Sequence, residues 1–150
     1  MIGASVPYDL ALMIHVLAAV ATIVVLVTMR YAALALTRGA EPSVQAARFP
    51  QRRNWAARVI HVLPVSGLYM SLTGDSAVSL ARPWTGVGIL CYVLAAGHLE
   101  ARTLPQERMI AEIIHKDGFA SAERGRQFMT SVNVLLALVG VALIAMLVQF

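Results

Sequence analysis

Charge is what this sequence has least of. Only 13% of its 150 residues are Asp, Glu, Lys or Arg, against about 25% in a soluble domain. A water-soluble chain with 59% hydrophobic residues has too little polar surface to cover what it must bury, so a soluble globular fold is excluded. Cysteine is nearly absent as well. Cys91 stands alone inside an apolar run, which rules out an intramolecular disulfide and any paired-cysteine motif. The chain has no HExxH, no GxSxG and no phosphate-cradling glycine loop. No aromatic-interleaved basic segment or known module points to nucleic acid. The start, Met1-Ile2-Gly3-Ala4-Ser5, lacks a basic leader, so the first apolar run is expected to stay as a helix rather than be removed as a signal peptide.

What is present is long apolar runs. Leu10 to Met29 is twenty residues with His15 as its strongly polar member, and Phe128 to Phe150 is twenty-three without a charge. At about 1.5 Å per residue either crosses a hydrocarbon core of about 30 Å. Two shorter runs lie between them, Val59–Leu72 and Trp84–Leu99. They read as an antiparallel hairpin through Thr73-Gly74-Asp75-Ser76, with Trp55 to Arg58 extending the second span and Pro83 opening the third. The predicted fold is therefore all-α, a single membrane domain over residues 1–150. It is a four-transmembrane-helix bundle with spans near 8–36, 55–73, 83–100 and 128–149.

Basic residues set an orientation. Eleven of the twelve Lys and Arg fall at or in the connections after spans one and three, leaving Arg82 in the hairpin. The positive-inside rule places both long connections in the cytoplasm and both termini outside, in a cell (plasma) membrane. Glu41 is the one acid of the first connection, so that face is drawn to anionic headgroups. In the second connection Met109, Ile110, Ile113 and Ile114 oppose Glu107, Arg108, Glu112 and Lys116. This pattern predicts a short cytoplasmic amphipathic helix between helices 3 and 4. Pro105 would open it and Gly118 end it, and it would lie on the membrane surface or over the mouth of the bundle.

Polar groups inside a bilayer are costly and mark sites. His15, His61 and His98 lie on three different spans, and two imidazoles from facing helices are how a bundle holds haem b. His61 with His98 is the favoured pairing, because the rise per residue puts them in similar layers; His15 with His61 is the other. Gly67 and Gly97 would leave room for a porphyrin or permit close helix packing. The competing reading is that these histidines are neutral and hydrogen-bonded to a neighbouring helix. A second candidate gathers His98, Glu112 and His115 as metal ligands, on the i, i+3 spacing of Glu112 and His115. Ser66, Ser131, Asn133, Thr22 and Thr28 are candidates for interhelical hydrogen bonds. Pro64 should kink helix two by freeing a carbonyl near Ile60, with Ser66 compensating. No span carries an acid or base near its middle, which argues against an ion pump; His15 or His61 would have to serve instead.

The segments IHVLAAVATIV (14–24) and RVIHVLPVSGLYMSL (58–72) resemble a broad group of uncharacterised bacterial four-span membrane proteins, distantly similar to the membrane domain of copper-resistance D proteins. The resemblance rests on His15, the Arg48–Arg58 stretch and Ser66-Gly67-Leu68-Tyr69. The group's Trp-Gly-Gly is replaced here by Ala19-Val20-Ala21. The function expected from the sequence is a non-catalytic accessory or scaffold component, partnered by the lipid bilayer and by a second copy or a larger membrane complex. Small residues (Ala18, Ala19, Thr22, Gly140) on the strongest helices favour it. A b-haem electron-transfer protein is the alternative, and a small-molecule or ion transporter the third.

Overall fold

The computed structural model describes residues 6–73 and 82–148, and these contain helices and no strand. Helix α1 runs from Val6 to Thr37 and α2 from Pro42 to Arg48. A 3-10 helix, Ala56–His61, leads into α3, Val62–Thr73. Helix α4 is Pro83–His98, followed without a break by a π-helical turn, Leu99–Thr103, and by α5, Leu104–Asp117. Helix α6, Ala122–Val148, completes the chain. Three helical runs are long and apolar enough to cross a membrane: Val6–Thr37, Pro83–Asp117 and Ala122–Val148. The all-α expectation is met. The helix through residues 56–73 is composite and falls outside those three.

Local chemistry explains the boundaries. Helix α1 ends in a Schellman cap: Gly39, at φ 65, donates to Leu36 O and Ala40 donates to Ala35 O, pairing carbonyls the helix leaves open. Gly118, at φ 85, closes α5 in the same left-handed conformation and donates to Ile114 O, as the sequence pattern predicts. Pro64 has no N–H to return to Ile60; it is the third residue of α3, and the 3-10 segment ends just upstream at His61. Ser66 Oγ donates to Val62 O at 2.8 Å, with Leu63 O at 3.2 Å, so its hydroxyl serves those carbonyls and not Ile60's.

Two expectations are corrected. The amphipathic helix lies within the expected bounds, with Pro105 in its first turn and Gly118 at its end, but it is not separate from the third span: it continues α4 through the π turn. Its apolar face, Leu104, Ile110, Ala111 and Ile114, is buried with Phe49, Ala120 and Phe128 over one end of the bundle. Spans two and three are not a packed hairpin either: α3 lies against α1, and α4 against α6. Helices α1 and α6 share the most extensive contact. The connecting turn, Gly74 to Ala81, lies outside the described residues.

Packing is concentrated at the arginine-rich end. Leu26, Met29, Ala33 and Leu36 of α1 meet Phe128, Val132 and Leu135 of α6, capped by Phe49, Leu99 and Leu104. Phe49 and Phe128 sit edge to face with ring centroids 5.7 Å apart. Gly125 makes the closest helix approach: a Cβ there would lie 2.7 Å from Leu36 Cβ, 2.9 Å from Thr37 N and 3.1 Å from Ala33 O. Gly140 and Gly97 have nothing within 4 Å, so neither mediates packing; Gly67 faces the His15 ring, with Cε1 at 3.4 Å. Outward faces remain apolar: Leu17 and Val24 on α1, Val65 and Leu72 on α3, Leu90 and Val93 on α4, Ile144 and Leu147 on α6. Large apolar side chains turned outward on every one of these helices fit a hydrocarbon solvent.

Candidate functional site

Three of the bundle's junctions are each joined by one histidine and one hydroxyl, while α1 meets α6 through apolar packing and an Arg30–Asn133 bond. His15 Nδ1 of α1 meets Ser66 Oγ of α3 at 3.0 Å. Because the Ser66 proton goes to a backbone carbonyl, the hydroxyl accepts and His15 Nδ1–H donates. His61 Nδ1, at the end of the 3-10 helix, meets Tyr92 OH of α4 at 3.0 Å, the rings standing edge to face. His98 Nε2 of α4 meets Ser131 Oγ of α6 at 2.9 Å and Ser131 O at 3.2 Å. A carbonyl only accepts, so Nε2 of His98 carries the hydrogen. Thr103 Oγ1 completes this node, 2.8 Å from Ser131 Oγ and fully buried within the π turn.

The His61 junction extends to charge. Arg58 holds the Glu100 carboxylate with two nitrogens, Nε at 2.8 Å and Nη2 at 2.7 Å, while His61 Nε2 lies 3.4 Å from the same carboxylate. Fork-to-fork geometry of this kind fixes direction as well as distance. The Trp55 ring lies against two guanidiniums, Arg53 at 4.4 Å and Arg58 at 5.4 Å from its centroid. Arg58 is thus a latch between the 3-10 helix and the π turn rather than a free topology charge.

The arginine-rich end also carries an open cleft. A cavity of about 480 Å³ lies between Thr28, Met29 and Ala32 of α1, the Arg48–Ala56 connection, Glu107 of α5 and Phe128 of α6. Arg48, Arg52 and Arg53 line it. Asn54 shapes its wall: Oδ1 accepts from Ala57 N–H at 3.1 Å, and Nδ2 donates to Glu107 Oε1 at 2.9 Å. Helix α5 lies beyond the apolar run of α4, and burial there pushes the Glu107 carboxyl above its ordinary value, opposed by the Asn54 bond and by Arg108. Glu123, at the start of α6, is held below its ordinary value by Arg126.

The sequence-derived site residues therefore separate. A b-type haem takes two imidazoles converging on one iron, whereas His15, His61 and His98 reach toward three different helices. His98 is engaged with Ser131, and Glu112 and His115 are exposed on α5. Among the described residues no group of three or more His, Cys, Asp or Glu side chains is placed to hold a metal ion. Ser66, Ser131 and Asn133 do make interhelical bonds, the last from Arg30 Nε at 3.0 Å. Thr22 and Thr28 bond back to their own helix instead, at Ala18 O and Val25 O.

Sequence reasoning passed over Tyr92, Thr103 and Gln45, and read Glu107 only as part of a polar helix face. Tyr92 and Thr103 carry hydroxyls within or beside an apolar run, which is a usable signal. Gln45 had none. It is 4% exposed and clips α2 to the α5–α6 turn, its amide donating to Ala40 O and accepting from Ala120 N–H, both at 2.8 Å. No family profile, curated protein or solved structure matches the chain.

Proposed function

We propose that this protein is a four-span integral component of a cell membrane, with its arginine-rich connections in the cytoplasm and both termini outside, acting as a non-catalytic accessory or scaffold subunit. The observation that carries the reading is the use made of the intramembrane polar groups. His15, His61 and His98 each join one helix to the next through a hydroxyl. Interhelical bonds of this type are worth about 0.6–2 kcal/mol each in lipid, and they turn costly polar groups into fasteners. A bundle fastened in this way presents only its outward faces to partners.

The length of α1 suits a membrane crossing. Helix α1, at 32 residues, is about 48 Å long and overruns a hydrocarbon core of about 30 Å. Its last turns then emerge on the side that carries Arg30 and Arg38. The composite helix over residues 56–73 supplies the fourth crossing, its arginine end neutralised by Glu100.

Two measurements test the proposal together. Blue-native electrophoresis after mild solubilisation should show the chain in a homo-oligomer or larger assembly. The purified protein's oxidised and reduced absorption spectra should lack a Soret band. A monomer carrying stoichiometric haem, lost in His61→Ala, would overturn the assignment in favour of electron transfer. Single-cysteine variants of Cys91→Ser at positions 52 and 102 should be shielded from an impermeant maleimide in intact spheroplasts; labelling there would invert the orientation.

A further inference from the structure

We propose that the cleft beside Trp55 is a binding site for the phosphate headgroup of one anionic membrane lipid. Its volume, about 480 Å³, falls within the range of about 300–1,000 Å³ found for small-molecule sites. Three arginines, Arg48, Arg52 and Arg53, are among the residues that line it. Among the described residues none of the three has a carboxylate at ion-pair distance. Each keeps its full donor set for phosphate oxygens, which planar guanidinium forks match two at a time. Arg53 is held in place by its stack on Trp55, a residue 65% exposed, as an indole at a headgroup boundary should be.

The opposite wall decides between a lipid and a dissolved anion. Thr28, Met29, Ala32 and Phe128 make it largely apolar. Val24 and Val20 stand one and two turns above Thr28 on the same stripe of α1, and both are exposed. An acyl chain can follow that stripe from the cleft into the bilayer, while inorganic phosphate or a free nucleotide has no use for it. Glu107 is the one carboxylate on the cleft wall. Asn54 Nδ2 engages one of its oxygens at 2.9 Å.

The inference rests on the membrane placement proposed above, and the test separates the two. Resistance of the membrane-bound protein to carbonate extraction reports placement. Native mass spectrometry of the full chain, released from nanodiscs of mixed phosphatidylglycerol and phosphatidylcholine, reports the site. One retained phosphatidylglycerol is expected. Arg48→Gln with Arg52→Gln and Arg53→Gln should weaken retention roughly five-fold per guanidinium, on the order of 100-fold together. A charge-matched control, Arg38→Gln with Arg102→Gln and Arg108→Gln, should retain it, and Glu107→Gln should hold it at least as tightly. Equal loss in both triple variants would reduce the effect to surface charge and overturn the site. So would undiminished retention in the cleft triple, loss in Glu107→Gln, or displacement by millimolar inorganic phosphate. A carbonate-resistant protein without lipid preference rejects the site alone; a carbonate-extractable one rejects the placement as well.

Discussion

Gly125→Ala should destabilise the protein even though alanine is the better helix former. The methyl group would sit 2.7 Å from Leu36 Cβ, 2.9 Å from Thr37 N and 3.1 Å from Ala33 O. Carbon pairs prefer about 3.5–4.0 Å, so α1 and α6 must part by roughly 1 Å at their crossing. Two of the three atoms are backbone and cannot rotate away. Overpacking of this kind costs about 1–3 kcal/mol, and replacing a helical glycine returns about 1 kcal/mol. The expected net loss is up to about 2 kcal/mol, or up to roughly 6 °C in melting temperature for a chain of this length. The surrounding residues amplify the effect, because Leu36 and Phe128 are among the most deeply buried side chains and one shift disturbs both. Gly140→Ala supplies the control. Gly140 has nothing within 4 Å, so this variant should melt at or above the parent. Thermal unfolding in detergent, followed by intrinsic fluorescence, measures both. If Gly125→Ala melted no lower than Gly140→Ala, the close crossing of α1 and α6 would not exist as described.

Three further perturbations test other parts of the structure. Ser131→Ala leaves His98 Nε2 without its hydroxyl partner and the buried Thr103 hydroxyl with only a 3.5 Å contact to His98 O; a loss of about 1–3 kcal/mol is expected, read as a lowered melting temperature, and Ser131→Thr should recover part of it. Gln45→Ala removes both 2.8 Å bonds to Ala40 and Ala120, so limited proteolysis should cut faster near Ser121 while the membrane-buried fragments stay intact. Glu107 has a folded-state pKa raised by burial, so the folded state holds its proton more tightly than the unfolded state does. Stability should therefore fall as pH rises from the ordinary glutamate value through the raised folded one, and stay lower above it. Glu107→Gln should flatten that segment of the profile and melt higher than the parent at neutral pH. A profile that instead rose through this window would show that Glu107 is stabilised as a carboxylate.

How far the residues alone led is best seen at particular positions. Gly118 and Pro83 announce helix boundaries because their backbone restrictions are local and act the same in any surroundings. The apolar runs of α1 and α6 are legible for a similar reason, since crossing a hydrocarbon layer requires length and composition and little else. His15, Ser66, His98 and Ser131 stood out because polar atoms in apolar runs need partners. Their partners were not legible. Which hydroxyl meets which imidazole depends on helix rotation, and a one-residue difference turns a side chain by about 100°.

Composition and charge order thus determined the helical class, the apolar exterior and the end at which arginines collect, all properties summed along the chain. Tertiary structure decided which helices touch. It sent α3 to α1 and α4 to α6, carried α4 onward through the π turn into α5, and directed the three histidines to three separate junctions. It also assembled the arginine cleft from four elements distant in sequence. Those outcomes follow from packing geometry at contacts such as Gly125 against Leu36, where a few tenths of an ångström choose the neighbour, and no pattern read along one strand of chain contains that distance.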